Sequence, residues 1–188
     1  MTGEQLLRSR RAIRRYQPRP IPDELIEDIL DTARYAPSSM NGQPWCFVVI
    51  RSLETKRELA RLKNAHCPPE KSAYRADFLI EAPAIVAVCV ERERSHQREH
   101  ENGVLAAAYV MLAACERGLG SVFLAAYQPN DPALGREIAG LLGLPDGIEP
   151  VALVPLGFAA EVPPPKTLRT LSNILHHERF RPPSGPAA

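Results

Sequence analysis

Six arginines crowd the first twenty residues (Arg8, Arg10, Arg11, Arg14, Arg15 and Arg19) against a single acid, Glu4. That segment carries +5, whereas the remainder holds 17 basic and 21 acidic residues, so the overall charge of +1 is unevenly spread. A basic segment on a near-neutral protein points to one local anionic partner and not to a broad nucleic-acid face. A solvated basic helix face is the competing reading. Two more clusters interrupt an otherwise apolar chain: the polar stretch Pro37 to Gln43, and Lys166 to Arg169.

Other chemistries lack their residues. No GxGxxG or GxxxxGK[ST] loop is present, and neither HExxH nor GxSxG occurs. The five histidines make no metal set: His176 and His177 are neighbours, and adjacent side chains seldom share one ion. No metal is expected. Cys46, Cys67, Cys89 and Cys115 show no CxxC spacing and are expected as free thiols, with a cytoplasmic location following from that. No apolar run reaches the roughly 18 residues of a membrane span, and the N-terminus lacks the apolar core of a secretory signal. Apolar residues at 45% and charged residues at 24% are ordinary globular values. One domain over residues 1–180 is expected, with 181–188 (RPPSGPAA) as a mobile tail.

The elements that must position these clusters follow from periodicity. Residues 3–15 read as a helix in which Arg10 and Arg14 share a face. Pro22, Asp23 and Glu24 open a second helix with Ile26, Ile29, Leu30 and Ala33 inward, stopping near Ala36 before Pro37. A loop to Pro44 precedes a strand, Trp45 to Ile50, and Ser52 caps a helix to about 63. Residues 64–76 read as loop. The run 84–90 is nearly all apolar, as in a strand covered on both faces. A helix over about 102–117 is apolar almost all round, which places it in a core or a subunit interface. A short strand at 121–124, a helix capped by Asp131 and Pro132 and ended by Gly143, and a strand over about 150–158 complete the pattern. Helices and strands mix without strict βαβ alternation, which predicts an α+β layer architecture.

Several strings, in order, resemble the nitroreductase family: SRRAIRRY at 9–16, PIPDELIEDIL at 20–30, APSSMNGQPWCFVVI at 36–50, EAPAIVAV at 81–88, ERGLGSV at 116–122, LLGLPDGIEPVALVPLGFAAE at 141–161 and PKTLRTLSNILH at 165–176. The Ala-Pro-Ser-Ser…Asn-x-Gln-Pro-Trp loop is the specific element; the arginine cluster alone is weak. The resemblance implies an α+β flavoprotein fold, a central, mostly antiparallel sheet flanked by helices, and an intertwined homodimer with FMN in its interface. It further implies hydride transfer from NAD(P)H through FMN to an acceptor such as a nitroaromatic or quinone.

Site residues carry over by similarity. Arg10 and Arg169 would hold the phosphate, with Lys166 and Arg11 nearby; guanidinium forks suit phosphate because they donate parallel hydrogen bonds. Arg14 matches the position facing the pyrimidine edge, where a cation stabilises charge developing on the ring. Pro37, Ser38, Ser39 and Asn41 would reach the other subunit's flavin, with Gln43 serving the loop or the flavin and Trp45 packing in the core. Ala12 stands where the family commonly has Ser, so only its backbone can donate. Ala125 and Ala126 align with the loop whose amide faces flavin N5, with Ala126 as the expected donor and no carboxylate present. Tyr74, Arg75 and Tyr127 are the candidates for the substrate side. No residue is assigned as acid or base. The alternatives are a specialised relative (a dehalogenase, a flavin-consuming synthase or an enoyl-type reductase) or a non-redox binding protein with a basic N-terminal helix; neither nucleic acid nor membrane is an expected partner.

Overall fold

The computed structural model describes residues 1–71, 74–129 and 131–181. The expected mobile tail therefore lies outside the described residues, save Arg181. The order is α1 (Gly3–Ser9), α2 (Asp23–Ala33), β1 (Trp45–Ile50), α3 (Leu53–Ala65), α4 (Phe78–Glu81), β2 (Ala84–Glu91), α5 (Glu99–Glu116), β3 (Gly120–Ser121), β4 (Leu124–Ala125), α6 (Ala133–Leu142) and β5 (Ile148–Gly157). The sheet runs β1-β2-β5-β3, with β4 also on β5, and every strand pair is antiparallel.

The period-two alternation of β2 divides the core into two layers. Ile85, Ala87 and Cys89 face one cluster with Leu59, Leu79 and Ile138 of α3, α4 and α6. Ala84, Val86 and Val88 face the other, with Ile26, Ile29, Ala106 and Val110 of α2 and α5. Covered on both sides, β2 is apolar throughout, as its sequence implied. The α+β layer architecture and the antiparallel sheet are as expected.

The N-terminal helix is the largest correction. It ends at Ser9, not near residue 15, and Arg10 is already extended (φ −57, ψ 130). Residues 10–16 form bridges instead, Ala12 to Ser121 and Tyr16 to Ala159, and Ile13 N–H donates to Ser121 O at 3.0 Å. Arg10 and Arg14 therefore share no helix face. Burying Ile13 and Tyr16 against the sheet outweighs the helical preference of seven isolated residues. Gly120 permits the approach, since a Cβ there would lie 2.8 Å from the Ile13 side chain.

Smaller differences have local causes. α2 ends at Ala33, three residues before the expected stop. α5 begins at Glu99, and its outer side, with Val104 and Leu105, stays exposed in the single chain. The expected strand at 121–124 is split into β3 and β4; Pro155, which has no N–H, lies opposite the break. The loop expected over 64–76 starts later, since α3 runs to Ala65, and it holds a 3-10 turn at Pro69–Lys71; residues 74–76 are irregular and α4 follows. All four cysteines are free; Cys89 is buried and the other three are half-buried.

Candidate flavin site

The three clusters are supported in different ways. Residues 10–16 are stitched to the sheet edge and to the chain after β5. Gln17 N–H donates to Phe158 O at 2.8 Å and Ala160 N–H to Arg15 O at 2.9 Å. Glu161 adds a carboxylate oxygen that accepts from the backbone N–H groups of Arg14 (2.5 Å) and Arg15 (3.1 Å). Tyr16 donates its hydroxyl to Ile13 O at 2.6 Å, and burial holds that phenol above its ordinary range. The result is a fixed backbone from which Arg10, Arg11 and Arg14 project.

None of those guanidinium groups meets a carboxylate among the described residues. Eight other arginines do (Arg8, Arg34, Arg51, Arg61, Arg75, Arg92, Arg98 and Arg117), but Arg15, Arg19, Arg57, Arg94 and Arg136 do not. It is therefore the place at the sheet edge together with the free charge that marks Arg10, Arg11 and Arg14. Arg11 bonds only the carbonyls of Arg8 and Arg10, and Arg169 only that of Asn173. Un-neutralised forks beside a rigid strand edge are the donor set that a dianionic phosphate requires, so the residues present fit FMN.

The Pro37 to Gln43 loop is strained and braced. Met40, Asn41 and Gln43 all have φ between 47 and 54, a region that costs a non-glycine residue about 1–2 kcal/mol. The compensation comes from elsewhere in the chain. Asn102, buried at the start of α5, accepts from Ser39 N–H at 2.9 Å and donates to Ser95 O at 3.0 Å. Ser38 Oγ accepts from Gln43 N–H at 3.0 Å, and Arg94 donates to Gly42 O at 2.9 Å. A Cβ at Gly42 would come within 2.1 Å of Arg94 O, so no other residue fits there. Gln43 turns its side chain to Asn41 O at 3.5 Å, the loop's own backbone. Trp45 is half-buried against the α2–α5 layer, more peripheral than a core position.

At β4, Ala126 N–H donates to Val151 O at 2.9 Å, and Leu124 and Ala125 stand opposite Leu153 and Ala152. Donors alternate along an antiparallel ladder, so the Ala125 amide turns away from β5. The expectation for Ala126 is thereby corrected: its amide is committed to the sheet, and Ala125 carries the outward one. Ala12 sits next to this edge through its bridge to Ser121, whose buried hydroxyl has no partner among the described residues.

The substrate-side candidates do not converge. Tyr74 lies 5.9 Å beneath the Arg14 guanidinium, which ties it to the cationic segment. Arg75 pairs with Asp77 at 3.0 Å. Tyr127 stacks on His100 (centroids 3.8 Å apart, 9° between planes) and lines a cavity of about 510 Å³ between α6 and the start of β5. None of the phosphate-binding candidates lines that cavity. Lys166 and Arg169 lie on an exposed segment after β5, where Arg169 donates to Asn173 O at 2.8 Å. Three residues were missed by sequence reasoning: Asn102, Glu161 and Lys63, whose ammonium donates to Ala125 O at 2.7 Å. Their signal is tertiary; in the sequence each is one polar residue on a helix or in a tail.

Comparison with known proteins bears on the fold and the family. Iodotyrosine deiodinase of Thermotoga neapolitana is 30% identical over 176 residues, covering 86% of this chain and 90% of that protein. An NADH dehydrogenase of Thermus thermophilus is 31% identical over 178 residues, covering 81% and 84%. The crystal structure of an oxidised iodotyrosine deiodinase bound to FMN and 3-iodo-L-tyrosine superposes with a TM-score of 0.77 at 27% identity, covering 94% of this chain and 99% of that one. The nitroreductase family profile matches residues 7–158, and the chain belongs to the nitroreductase family.

Proposed function

We propose that this protein is an FMN-dependent oxidoreductase that moves electrons from NAD(P)H to a small acceptor such as a nitroaromatic or quinone, in two half-reactions. The observation that carries this reading is the group Arg10, Arg11 and Arg14, free of carboxylate partners and projecting from a segment locked to the sheet edge. Arg10 and Arg11, with Lys166 and Arg169 brought in from the C-terminal segment, bind the phosphate. Arg14 sits at the pyrimidine edge, where its charge favours the reduced ring. Ala125 offers its outward N–H to the ring's central edge. When bound, FMN supplies the hydride-accepting and hydride-donating chemistry, so no protein acid or base is needed for the transfer.

The functional unit is residues 1–180 acting as a homodimer. The side chains Val104, Leu105, Leu168, Leu171, Ile174 and Leu175 are exposed in the single chain, and a partner covering them accounts for the all-round apolar character of α5. The braced loop at Pro37 to Asn41 is then offered to the partner's flavin. Four free thiols fit a reducing compartment, and no helix among the described residues is long and apolar enough to cross a membrane. The similarity to two iodotyrosine deiodinases favours a second reading within the same chemistry, reductive dehalogenation of an iodinated phenol.

The purified protein is expected to be yellow, absorbing near 450 nm, to release FMN and not FAD on heating, and to sediment at about twice the 20.8 kDa chain mass. Bleaching by NADH or NADPH, followed by reoxidation with nitroaromatic, quinone or iodotyrosine, selects the acceptor. A protein that stays colourless after incubation with FMN refutes the reading.

A further inference from the structure

Two lysines of α3 end on backbone carbonyls, Lys56 on a buried one and Lys63 on a half-buried one. Lys56 Nζ donates to Ala82 O at 2.8 Å, just ahead of β2 in the core. Lys63 Nζ donates to Ala125 O at 2.7 Å, the carbonyl of the β4 residue whose amide turns away from the sheet. Neither ammonium meets a carboxylate among the described residues. An unpaired ammonium removed from water is unfavourable, and burial pushes the pKa of both lysines down. A neutral side chain would relieve that cost, so a cation kept in such a place is a candidate for function. The two sites differ in location. Ala82 lies in the apolar core layer with Ile13 and Tyr16, and Pro83 after it packs with Tyr16 at Gly157, whereas Ala125 belongs to β4 and turns its carbonyl away from the sheet.

We infer that Lys63 is a positioning residue of the flavin site: through the Ala125 carbonyl it fixes the β4 peptide, and its uncompensated charge biases a bound flavin toward the reduced form. The inference rests on the assignment of β4 to the flavin edge. The physical reason is that the reduced ring carries more negative charge than the oxidised one, and a fixed cation in a water-poor site stabilises the more negative state. The chain Lys63 ammonium, Ala125 carbonyl, Ala126 amide, Val151 carbonyl ties α3 to β5 across β4 and fixes the Ala125–Ala126 peptide, while the pairing of Leu124 with Leu153 holds the peptide that carries the outward Ala125 N–H. The last turn of α3 thus reaches the site without contributing an atom that touches the cofactor.

The test compares the affinities of each holoprotein for oxidised and reduced FMN, which gives the two-electron potential. Lys63→Gln keeps a donor for Ala125 O and drops the charge; Lys63→Met drops both. Both variants should lower the ratio of reduced to oxidised affinity by about tenfold, or about 30 mV for a two-electron couple, while Lys63→Arg should restore it. Lys56→Met, a lysine of the same helix at the core carbonyl, should leave the ratio unchanged. If Lys63→Met does not fold, Lys63→Gln alone decides. Gln and wild-type ratios that agree within twofold overturn the inference while the flavoprotein reading stands. A wild-type chain that takes up no FMN overturns both.

Discussion

Two segments are assigned to the same phosphate, and the protein builds them in opposite ways. After Arg10 the backbone is tied to distant chain: Ile13 bonds Ser121, Gln17 bonds Phe158, Ala160 bonds Arg15, and Ile13 and Tyr16 are buried. Around Arg169 the side chains of Leu168, Leu171 and Ile174 are exposed, and the hydrogen bonds are local, from Arg169 to Asn173 O and within the turn at 171–175. The first is a preorganised anchor, positioned before any ligand arrives. The second is an exposed arm with local hydrogen bonds, which on the proposed reading is ordered further by the cofactor or a second subunit. A charge on a rigid anchor contributes its full interaction, whereas one on an arm contributes what is left after ordering the segment.

The sharpest way to break this contrast is to loosen the anchor. Ile13→Ala removes a buried side chain wedged against Gly120, and isoleucine-to-alanine changes in cores cost about 2–5 kcal/mol. Denaturant unfolding without FMN should show that loss, and FMN affinity should fall with it. A change below about 0.5 kcal/mol would mean the segment is not part of the folded core.

Arg169→Ala should do the reverse. Unfolding without FMN should match the wild type, because the side chain is exposed and its hydrogen bond, to Asn173 O, is local. FMN binding should weaken by roughly 10- to 150-fold, the equivalent of about 1.5–3 kcal/mol for one charge-assisted contact. Excess FMN should restore turnover. Loss of stability in the apoprotein would show that the arm is docked already.

Asn102→Ala probes the other preorganised element, since it strands the Ser39 N–H, leaves the Ser95 carbonyl with only the Arg98 N–H, and removes the brace on a strained loop. About 1–3 kcal/mol is expected from the unfolding midpoint. If the loop presents Ser38 to Asn41 to the flavin, FMN affinity should fall further than stability alone accounts for; equal losses would assign Asn102 a purely structural role.

The smallest effect belongs to Arg14→Ala. The backbone there is held by Glu161, so folding and FMN affinity should stay close to wild type. The flavin should become harder to reduce, by about tenfold in the ratio of reduced to oxidised affinity, or about 30 mV. Hydride transfer should then stay slow even at saturating FMN. If added FMN rescues Arg14→Ala as fully as Arg169→Ala, Arg14 is one more binding contact.

Much of this protein is legible in its sequence because the signals are local. The apolar run at 84–90 gives a strand buried on both faces, Ser52 gives the start of α3, and Gly143 gives the left-handed end of α6. The string from Ala36 to Ile50 marks both the loop and the strand after it. The residue types that bind phosphate are likewise local facts, since an arginine fork is an arginine fork in any conformation. What the sequence could not determine is where non-local pairing overrides local preference. Residues 10–16 have a helical pattern, but a sheet edge that lies over a hundred residues away in the chain supplies better partners for Ile13 and Tyr16. Asn102 bracing Ser39, Glu161 holding Arg14 and Lys63 reaching Ala125 depend in the same way on contacts between 62 and 147 residues apart. Composition and periodicity carry no record of such contacts. Only the folded backbone decides that Ala126 spends its amide on Val151 and that Ala125 does not, because the alternation of a two-stranded ladder is set by register, and register is a property of the pair.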